Sequence, residues 1–417
     1  MLKQIEGSQA IAQAIALCRP EVICAYPITP QTHIVEGLGE MVKDGSLENC
    51  EFINVESEFA ALSVAIGSSA AGARSYTATA SQGILYMAEA VYNAAGLGLP
   101  IVMTIGNRAI GAPINIWNDH SDSMALRDAG WIQLYAETNQ EAADLHIQAF
   151  RLAEELSCPV MVCVDGFILT HAYERIDIPT QKQVDDYLPA FVPVQILDVD
   201  DPVSMGAMVG PEAFMEVRYL QHHKQQRALA LIPALAKEFR ERFGRDSGGL
   251  LRTYHCEDAE TIIVALGSVN GTIKEAVDEM RAAGKRVGSL SICSFRPFPL
   301  DEVRDALRRA KRVVVLEKSL AVGIGGMLSE GVRNALSGIS LKGHTVIAGL
   351  GGRAITQKAL VDLLNSAARG ELAHLNFLDL RWDVVKREIT REQAGRRTGP
   401  LAENILRELG TVADRIG

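Results

Sequence analysis

The chain has 417 residues, too many for one ordinary hydrophobic core, and its 48% hydrophobic and 22% charged residues are typical of a folded protein with about two domains. The net charge is −10, and because Lys and Arg are scattered among acidic residues, the composition argues against nucleic-acid binding. No apolar run reaches the roughly 18 residues of a membrane span, and residues 1–7 lack an apolar targeting segment, so we expect a cytoplasmic protein.

The first part of the chain alternates between predicted strands and helices. A helix at 10–17 precedes a short apolar strand at 21–25, and another helix follows Pro30. Further strands are predicted at 52–55, 75–79, 101–105 and 159–164, with helices at 58–72 and 140–156. This alternation predicts an α/β fold with a mainly parallel, doubly wound sheet.

The second part begins after a stretch of different character. Residues 177–202 are rich in Pro and Asp and predict an extended crossing segment, before a long charged helix at 212–243 and a linker at 244–249. Strands at 261–266, 286–292, 312–316 and 345–348 then predict a second, smaller doubly wound domain. We therefore expect domains at 1–245 and 256–368 and a charged C-terminal arm at 369–417.

Several common sites are missing from the sequence. No Gly-x-Gly-x-x-Gly motif follows a strand, and there is no P-loop and no nucleophile elbow. The glycine-rich runs at 323–326 and 349–353 suit either plain turns or phosphate-binding turns between a strand and a helix, and because they lack the full motif spacing we favour plain turns. Seven cysteines lie at 18, 24, 50, 158, 163, 256 and 293 without Cys-x-x-Cys spacing, so buried, reduced thiols are expected and no iron–sulfur cluster is predicted in this chain.

Distinctive side chains occur where the predicted strands of the first domain end. In open α/β sheets, ligands bind beyond the carboxyl ends of the strands. The turn at 26–30 holds Thr29 between two prolines, which suits either a ligand-binding hydroxyl or a helix cap. Glu58 begins an apolar helix, where it either complements the helix dipole or acts on a cofactor ring, and Glu56 is expected to point away.

Polar residues also follow the next two strands. Ser81 and Gln82 come after the strand at 75–79, and Arg108 follows the strand at 101–105, where a guanidinium can bind a carboxylate through two hydrogen bonds. A polar run at 118–122 contains His120 between two Asp residues. Because no second His stands at helical or strand spacing from it, we predict no metal site.

These motifs, in this order, resemble the alpha chain of pyruvate synthase, in the pyruvate:ferredoxin oxidoreductase family of thiamine enzymes. The resemblance is carried by Tyr-Pro-Ile-Thr-Pro at 26–30, Val-Glu-Ser-Glu at 55–58, Ser-Gln-Gly at 81–83, Asn-Arg-Ala at 107–109 and Asn-Ile-Trp-Asn-Asp at 115–119. It continues through 165–171, 256–260 and 349–353 and thus covers nearly the whole chain.

The resemblance implies a fold and a set of site residues. The first domain would have the thiamine-pyrimidine-binding fold, and the second would be similar to the C-terminal domain of transketolase. Glu58 would contact the aminopyrimidine, and Thr29 and Arg108 would bind the carboxylate and carbonyl of a 2-oxoacid. The implied neighbours are Pro27, Ile28, Ser81 and Gln82 around the cofactor, and Gly111 and Asn118 around the substrate.

The resemblance also implies a reaction shared among several subunits. A 2-oxoacid would be oxidatively decarboxylated to an acyl-CoA and CO2, with electrons passed to iron–sulfur clusters in partner chains. A beta subunit would bind the diphosphate and magnesium, which fits the lack of a Gly-Asp-Gly motif with a downstream Asn here. Gamma- and delta-type subunits with ferredoxin-like clusters would pass electrons to ferredoxin or to a flavin/NAD module.

The sequence departs from the pyruvate pattern at two positions. Gly111 and Ser121 are smaller than the residues usual in the family, which leaves room for a bulkier substrate such as phenylglyoxylate or a branched-chain 2-oxoacid. Two rival functions stay open: a subunit of a non-oxidative or lipoamide-dependent thiamine enzyme, and a non-catalytic scaffold subunit. Substrate, final electron acceptor, direction and subunit stoichiometry are not determined by the sequence.

Overall fold

The computed structural model describes residues 2–395 and 401–409. Its N-terminal part is built on a seven-stranded sheet with the order β12-β6-β7-β5-β4-β2-β3. The strands are β2 (Val22–Ala25), β3 (Glu51–Asn54), β4 (Ser75–Thr79), β5 (Val102–Asn107), β6 (Ile132–Tyr135), β7 (Val160–Asp165) and β12 (Ser294–Arg296). All pairs are parallel except the one between β12 and β6, which confirms the predicted α/β fold.

Helices cover both faces of this sheet, which is why the central strands are buried along their whole length. One face is covered mainly by α1 (Gly7–Leu17), α2 (Thr32–Lys43) and α7 (Asn139–Leu156). The opposite face is covered mainly by α3 (Glu58–Ala70), α4 (Gln82–Tyr86), α5 (Ala88–Leu97) and α6 (Ser121–Ala125). A separate two-stranded antiparallel sheet joins β1 (Leu2–Glu6) to β8 (Tyr173–Asp177).

The segment between the two sheets is only partly extended. Helix α8 (Gln181–Tyr187) lies inside the predicted extended segment 177–202 and begins with a capping box of Thr180 and Gln183. Helix α9 (Phe214–Phe243) confirms the predicted long helix and packs against α7. The predicted linker that follows is fixed to α7, because Asp144 accepts a hydrogen bond from the Ser247 hydroxyl at 2.7 Å.

The C-terminal part is a second α/β unit. Its six-stranded sheet has the order β15-β14-β13-β10-β11-β9, formed by β9 (Leu251–Tyr254), β10 (Thr261–Ala265), β11 (Val287–Ile292), β13 (Arg312–Glu317), β14 (Lys342–Ile347) and β15 (Leu375–Phe377). The helices are α10 (Val269–Ala282), α11 (Leu300–Leu307), α12 (Leu328–Ala335), α13 (Gln357–Arg369), α14 (Trp382–Gln393) and α15 (Leu401–Leu409). Strand β15 lies within the predicted C-terminal arm, whose residues 396–400 and 410–417 lie outside the described part.

The two units share a hydrophobic core. Trp131 and Tyr135 of the first unit belong to the same buried cluster as Ile262 and Leu290 of the second. Strand β12, which follows β11 directly, leaves the second sheet and pairs with β6 of the first. The units are therefore held in one arrangement by apolar packing as well as by strand pairing. In the described residues, no helix is both long and apolar enough to span a membrane.

Candidate active site

Four loops of the first unit meet at the carboxyl edge of its sheet. They follow β2, β3, β4 and β5, and β4 pairs with both β2 and β5 at the centre of the sheet. Parallel strands bring their carboxyl ends to one edge, so side chains far apart in sequence come together there. The sequence-predicted site residues Thr29, Glu58, Ser81 and Arg108 all lie in or beside these loops.

Glu58 is a buried carboxylate at the first turn of α3. Ser57 caps this helix by accepting a hydrogen bond from the Ala60 amide at 3.2 Å, which fixes where the helix begins. Glu58 is 8% exposed, whereas Glu56 is exposed to solvent. Among the described residues, no hydrogen bond or ion pair reaches the Glu58 carboxylate, so it is available to a ligand.

Gly83 is the neighbour that allows Glu58 to lie so close to the start of α4. A Cβ atom added at Gly83 would stand 2.9 Å from Glu58 Oε1 and 2.4 Å from Thr79 Oγ1. The Thr79 hydroxyl is also buried, with no hydrogen-bond partner among the described residues. A side chain at position 83 would fill this small polar recess, which therefore requires glycine.

Arg108 holds the loop after β5 against the loop after β2. Its Nη1 donates to the carbonyl oxygen of Thr29 at 2.9 Å, and its Nε donates to that of Asn115 at 3.1 Å. These bonds engage backbone rather than the Thr29 hydroxyl, and the Thr29 side chain is exposed. Burial lowers the pKa of Arg108 while nearby Asp122 opposes that change, and the guanidinium stays charged at neutral pH.

Asp122 is a buried residue at the centre of this site to which sequence reasoning gave no role. Its Oδ2 accepts hydrogen bonds from the backbone amides of Ser81 and Arg108, both at 2.9 Å. Its Oδ1 accepts from the side chain of Asn107 and the amide of Ser123, both at 2.8 Å. One carboxylate thus joins the ends of β4 and β5, and burial raises its pKa to about 6.

Ser81 and Gln82 lie where the chain passes from β4 into α4. Ser81 has a positive φ of 49°, and its hydroxyl donates to the carbonyl oxygen of Ala109 at 2.5 Å. The left-handed backbone is strained for a residue other than glycine, so its bonds to Asp122 and Ala109 hold it there. Gln82 lies against Gly111, where an added Cβ atom would stand 2.5 Å from Gln82 Nε2.

Asn118 and His120, both singled out in the sequence, belong to a buried network between the two units. Asp165 at the end of β7 accepts from Lys318 Nζ at 2.8 Å and lies 2.6 Å from His120 Nε2. Lys318 also donates to Asn118, and the Ser268 amide donates to Asp165 at 3.1 Å. Burial alone would raise the pKa of Asp165, but Lys318 and His120 outweigh it and hold that pKa well below its ordinary value.

The loop that follows Arg108 docks on the glycine-rich turn at 349–353. Asp119 Oδ2 accepts from the Gly351 amide at 3.0 Å, and the Asn115 amide donates to the Gly351 carbonyl oxygen at 3.2 Å. A Cβ atom at Gly352 would stand 2.4 Å from Cβ of Trp117. This turn therefore helps to position the loop after β5, and Pro27 and Ile28 lie on the loop after β2.

Comparison with known proteins shows to which family this chain belongs. Residues 13–236 match the family described as pyruvate flavodoxin/ferredoxin oxidoreductase, thiamine diP-bdg, and residues 259–360 match pyruvate:ferredoxin oxidoreductase core domain II. The chain is 46% identical to a pyruvate synthase subunit PorA from Methanosarcina barkeri, over 91% of this chain and 97% of that protein. It is 40% identical to a ketoisovalerate oxidoreductase subunit VorA from Pyrococcus horikoshii, over 85% of this chain and 90% of that protein.

Solved structures agree on the fold. A 2-oxoglutarate:ferredoxin oxidoreductase from Magnetococcus marinus, with 2-oxoglutarate, coenzyme A and succinyl-CoA bound, is similar with a TM-score of 0.69 at 20% identity, over 88% of this chain and 65% of that one. A split-gene transketolase has a TM-score of 0.53 at 15% identity, over 88% of this chain and 99% of that one. The chain belongs to the pyruvate flavodoxin/ferredoxin oxidoreductase family and is an alpha-type subunit of a 2-oxoacid oxidoreductase.

Proposed function

We propose that this chain provides the aminopyrimidine side of a thiamine diphosphate site in a CoA-acylating 2-oxoacid oxidoreductase. The observation that carries the proposal is the Glu58 carboxylate, buried at the start of α3 without a protein partner among the described residues. Burying a carboxylate costs free energy unless the protein or a ligand donates a hydrogen bond to it. A protonated ring nitrogen of an aminopyrimidine is a suitable donor.

The surroundings of Glu58 fit that ring. The recess beside Gly83 and the unpartnered Thr79 hydroxyl offer polar contacts, and Ser81 and Gln82 border the same strand end. Bound thiamine diphosphate supplies a carbon nucleophile for cleavage next to a 2-oxo group. Glu58 would hold and exchange the proton at the ring nitrogen, while the polar residues beside it orient the ring.

The substrate carboxylate is proposed to lie between Arg108 and Thr29. Arg108 uses Nε to hold its own loop and Nη1 to hold the loop after β2, so its Nη2 takes part in neither bond and would be the donor to the carboxylate. The exposed Thr29 hydroxyl lies on one of these loops and would add a second donor. The Asn118 amide is engaged by Lys318, so we assign Asn118 to support of the loop rather than to direct recognition.

The names of the relatives favour a small 2-oxoacid as substrate. Those 43–46% identical are named as pyruvate synthase subunits, and the one at 40% is named for ketoisovalerate. We therefore propose pyruvate as the first candidate, a branched 2-oxoacid as the second, and phenylglyoxylate as a further test substrate that the missing side chain at Gly111 leaves open. None of these names points to a lipoamide-dependent or non-oxidative enzyme.

Partner chains are proposed to complete the site. A beta subunit would bind the diphosphate and magnesium, for which no motif was found in this sequence, and partner subunits would carry the iron–sulfur clusters. The seven cysteines are free thiols, six of them buried, and burial raises the pKa of each above its ordinary value, which disfavours the thiolate that binds iron. Coenzyme A would accept the acyl group, and ferredoxin or a flavin/NAD module would accept the electrons.

Calorimetric titration of thiamine diphosphate tests this division of labour. The full-length chain alone should bind the cofactor weakly and without dependence on magnesium, whereas the assembled complex should bind it tightly and only with magnesium. Tight, magnesium-dependent binding by the isolated chain would contradict the proposal, because it would place the diphosphate site within this chain.

A further inference from the structure

Three potential metal ligands come together at the edge of the first unit, outside the site described above. Glu6 ends β1, His33 lies in the first turn of α2, and His171 follows β7. One ligand atom from each lies within 4.8 Å of the other two, and all three residues are partly accessible to solvent. His33 lies 27 positions after Glu6, and His171 lies 138 positions after His33, so no local sequence motif predicts this cluster.

Direct contacts link the three side chains. His33 Nδ1 lies 2.7 Å from Glu6 Oε1, and the rings of His33 and His171 have centroids 4.7 Å apart. His171 Nδ1 lies 2.7 Å from the Thr170 hydroxyl, which leaves Nε2 outside that bond. Metal-bound histidines commonly donate their second ring N–H to such a partner, which fixes the orientation of the ligating nitrogen.

Aromatic packing holds the ring of His171 in place. Phe167 packs against it with ring centroids 4.7 Å apart, and Trp117 packs on Phe167 in turn. A hydrogen bond between Glu6 and His33 explains that pair, but it gives no reason for a second imidazole beside them.

We propose that Glu6, His33 and His171 bind one divalent cation of the zinc type, through two imidazole nitrogens and one carboxylate oxygen. Donors in a tetrahedral site with bonds of about 2.1 Å lie roughly 3.4 Å apart, so small side-chain rotations would complete the geometry. Two nitrogen ligands favour zinc, cobalt or nickel over magnesium or calcium. A water molecule would occupy the remaining position.

A bound cation would brace the loop that carries Thr29. His33 lies three residues beyond Pro30, and a Cβ atom at Gly166 would stand 2.5 Å from Cγ of Pro30, so the turn before His171 already packs on this loop. The cation would tie β1, α2 and the turn after β7 together at one point. The cation would therefore stabilise the fold by linking these three elements, and it would not contact the groups proposed to react.

The test uses the full-length chain after removal of metals with a chelator. Zn²⁺ affinity is measured by competition with a chromophoric chelator, and Co²⁺ binding is followed by its visible absorption. We expect one Zn²⁺ site in the wild type. His33→Gln and His171→Gln should each lower the Zn²⁺ affinity by at least about tenfold, because even the loss of a residue that only supports a metal ligand costs about that much. His223→Gln, on the exposed face of α9, is the matched control and should leave the affinity unchanged.

The melting temperature without metal and the far-UV circular dichroism spectrum show whether each variant is folded. Zn²⁺ should raise the melting temperature of the wild type and of His223→Gln but not that of His171→Gln. If His33→Gln proves unfolded, His171→Gln alone decides the result. Equal Zn²⁺ affinity in the wild type and His171→Gln, or absence of Zn²⁺ and Co²⁺ binding by the wild type, would overturn the proposal.

Discussion

At the scale of single residues, the side chains of the candidate site differ in whether the protein already hydrogen-bonds them. Arg108 and Asp122 are engaged by backbone groups, whereas Glu58 is buried without a protein partner among the described residues. The positions of Glu58 and Arg108 at strand ends were predictable because parallel strands align their carboxyl ends. The role of Asp122 was not, since nothing in a polar run such as 118–122 shows which carboxylate turns inward.

Substrate recognition gives a first prediction, in which Arg108 and Gly111 act differently. Arg108→Lys should lower kcat/KM for every 2-oxoacid by at least about tenfold, because a charge-assisted hydrogen bond is worth roughly 1.5–3 kcal/mol and Lys lacks the planar fork. Gly111→Ser would push against the Gln82 amide and, on the proposed placement of the substrate, reduce the space for its side chain. It should therefore cost a bulky substrate roughly 1–3 kcal/mol more than pyruvate.

The measurement is kcat/KM of the assembled complex for pyruvate, a branched 2-oxoacid and phenylglyoxylate. Equal losses on all three substrates for Gly111→Ser would remove Gly111 as a determinant of substrate size. A loss confined to one substrate for Arg108→Lys would contradict its assignment to the shared carboxylate.

Asp122 gives a second prediction. Asp122→Asn keeps the shape of the side chain but replaces an acceptor by an amide donor that faces the amides of Ser81 and Arg108. Misplacement of catalytic groups by about 1 Å costs on the order of a hundredfold in rate, so kcat/KM should fall by about 10–100-fold. Unchanged kinetics would show that the ends of β4 and β5 hold their positions without this carboxylate.

The pH dependence of stability checks the same residue independently. Because burial raises the folded-state pKa of Asp122 to about 6 from an unfolded value near 3.8, the folded chain holds this proton more tightly. The stabilising contribution of Asp122 is therefore largest at low pH, falls as the pH rises from about 4 to about 6, and is constant above that. The difference in melting temperature between wild type and Asp122→Asn should follow this course, and a difference independent of pH would contradict the assignment.

At the scale of elements, the predicted helices and strands with strong periodicity were found where expected. The long helix α9 and the central strands β4, β5 and β7 are examples. The strands that were not predicted are short: β1, β6, β8, β9, β12 and β15. Two of the pairings among them join segments far apart in sequence, since β12 pairs with β6 and β1 pairs with β8. Pairing of this kind is set by tertiary structure, which local sequence patterns do not report.

The contact between the units gives a third prediction, centred on Lys318. Lys318→Met would leave Asp165 buried with only part of its counter-charge, and removing one partner of a buried ion pair typically costs about 3–5 kcal/mol. The melting temperature should fall and the loop at 118–122 should become sensitive to protease. Lys311→Met, which removes a largely exposed ion pair with Glu260, is the matched control and should change stability little. Equal effects of the two substitutions would contradict a structural role for the buried network.

At the scale of the whole molecule, two α/β units share a hydrophobic core, and the loops of the candidate site lie at the carboxyl edge of the first sheet. The two-domain α/β organisation was predictable from length and from alternating elements. The buried contact between the units was not, because Asn118, His120 and Lys318 carry no sequence pattern that links them. Exposed aromatic residues near Glu58, namely Phe59 and Tyr86, are consistent with a partner chain that covers this edge.

Turnover by the assembled complex with Glu58→Gln tests the central claim most directly. The account predicts normal assembly and a loss of at least about a hundredfold in kcat, since general acid–base assistance is worth that much or more, while Glu56→Gln stays near the wild type because Glu56 faces solvent. Near-normal turnover by Glu58→Gln, with the large loss found instead for Glu56→Gln, would contradict the account.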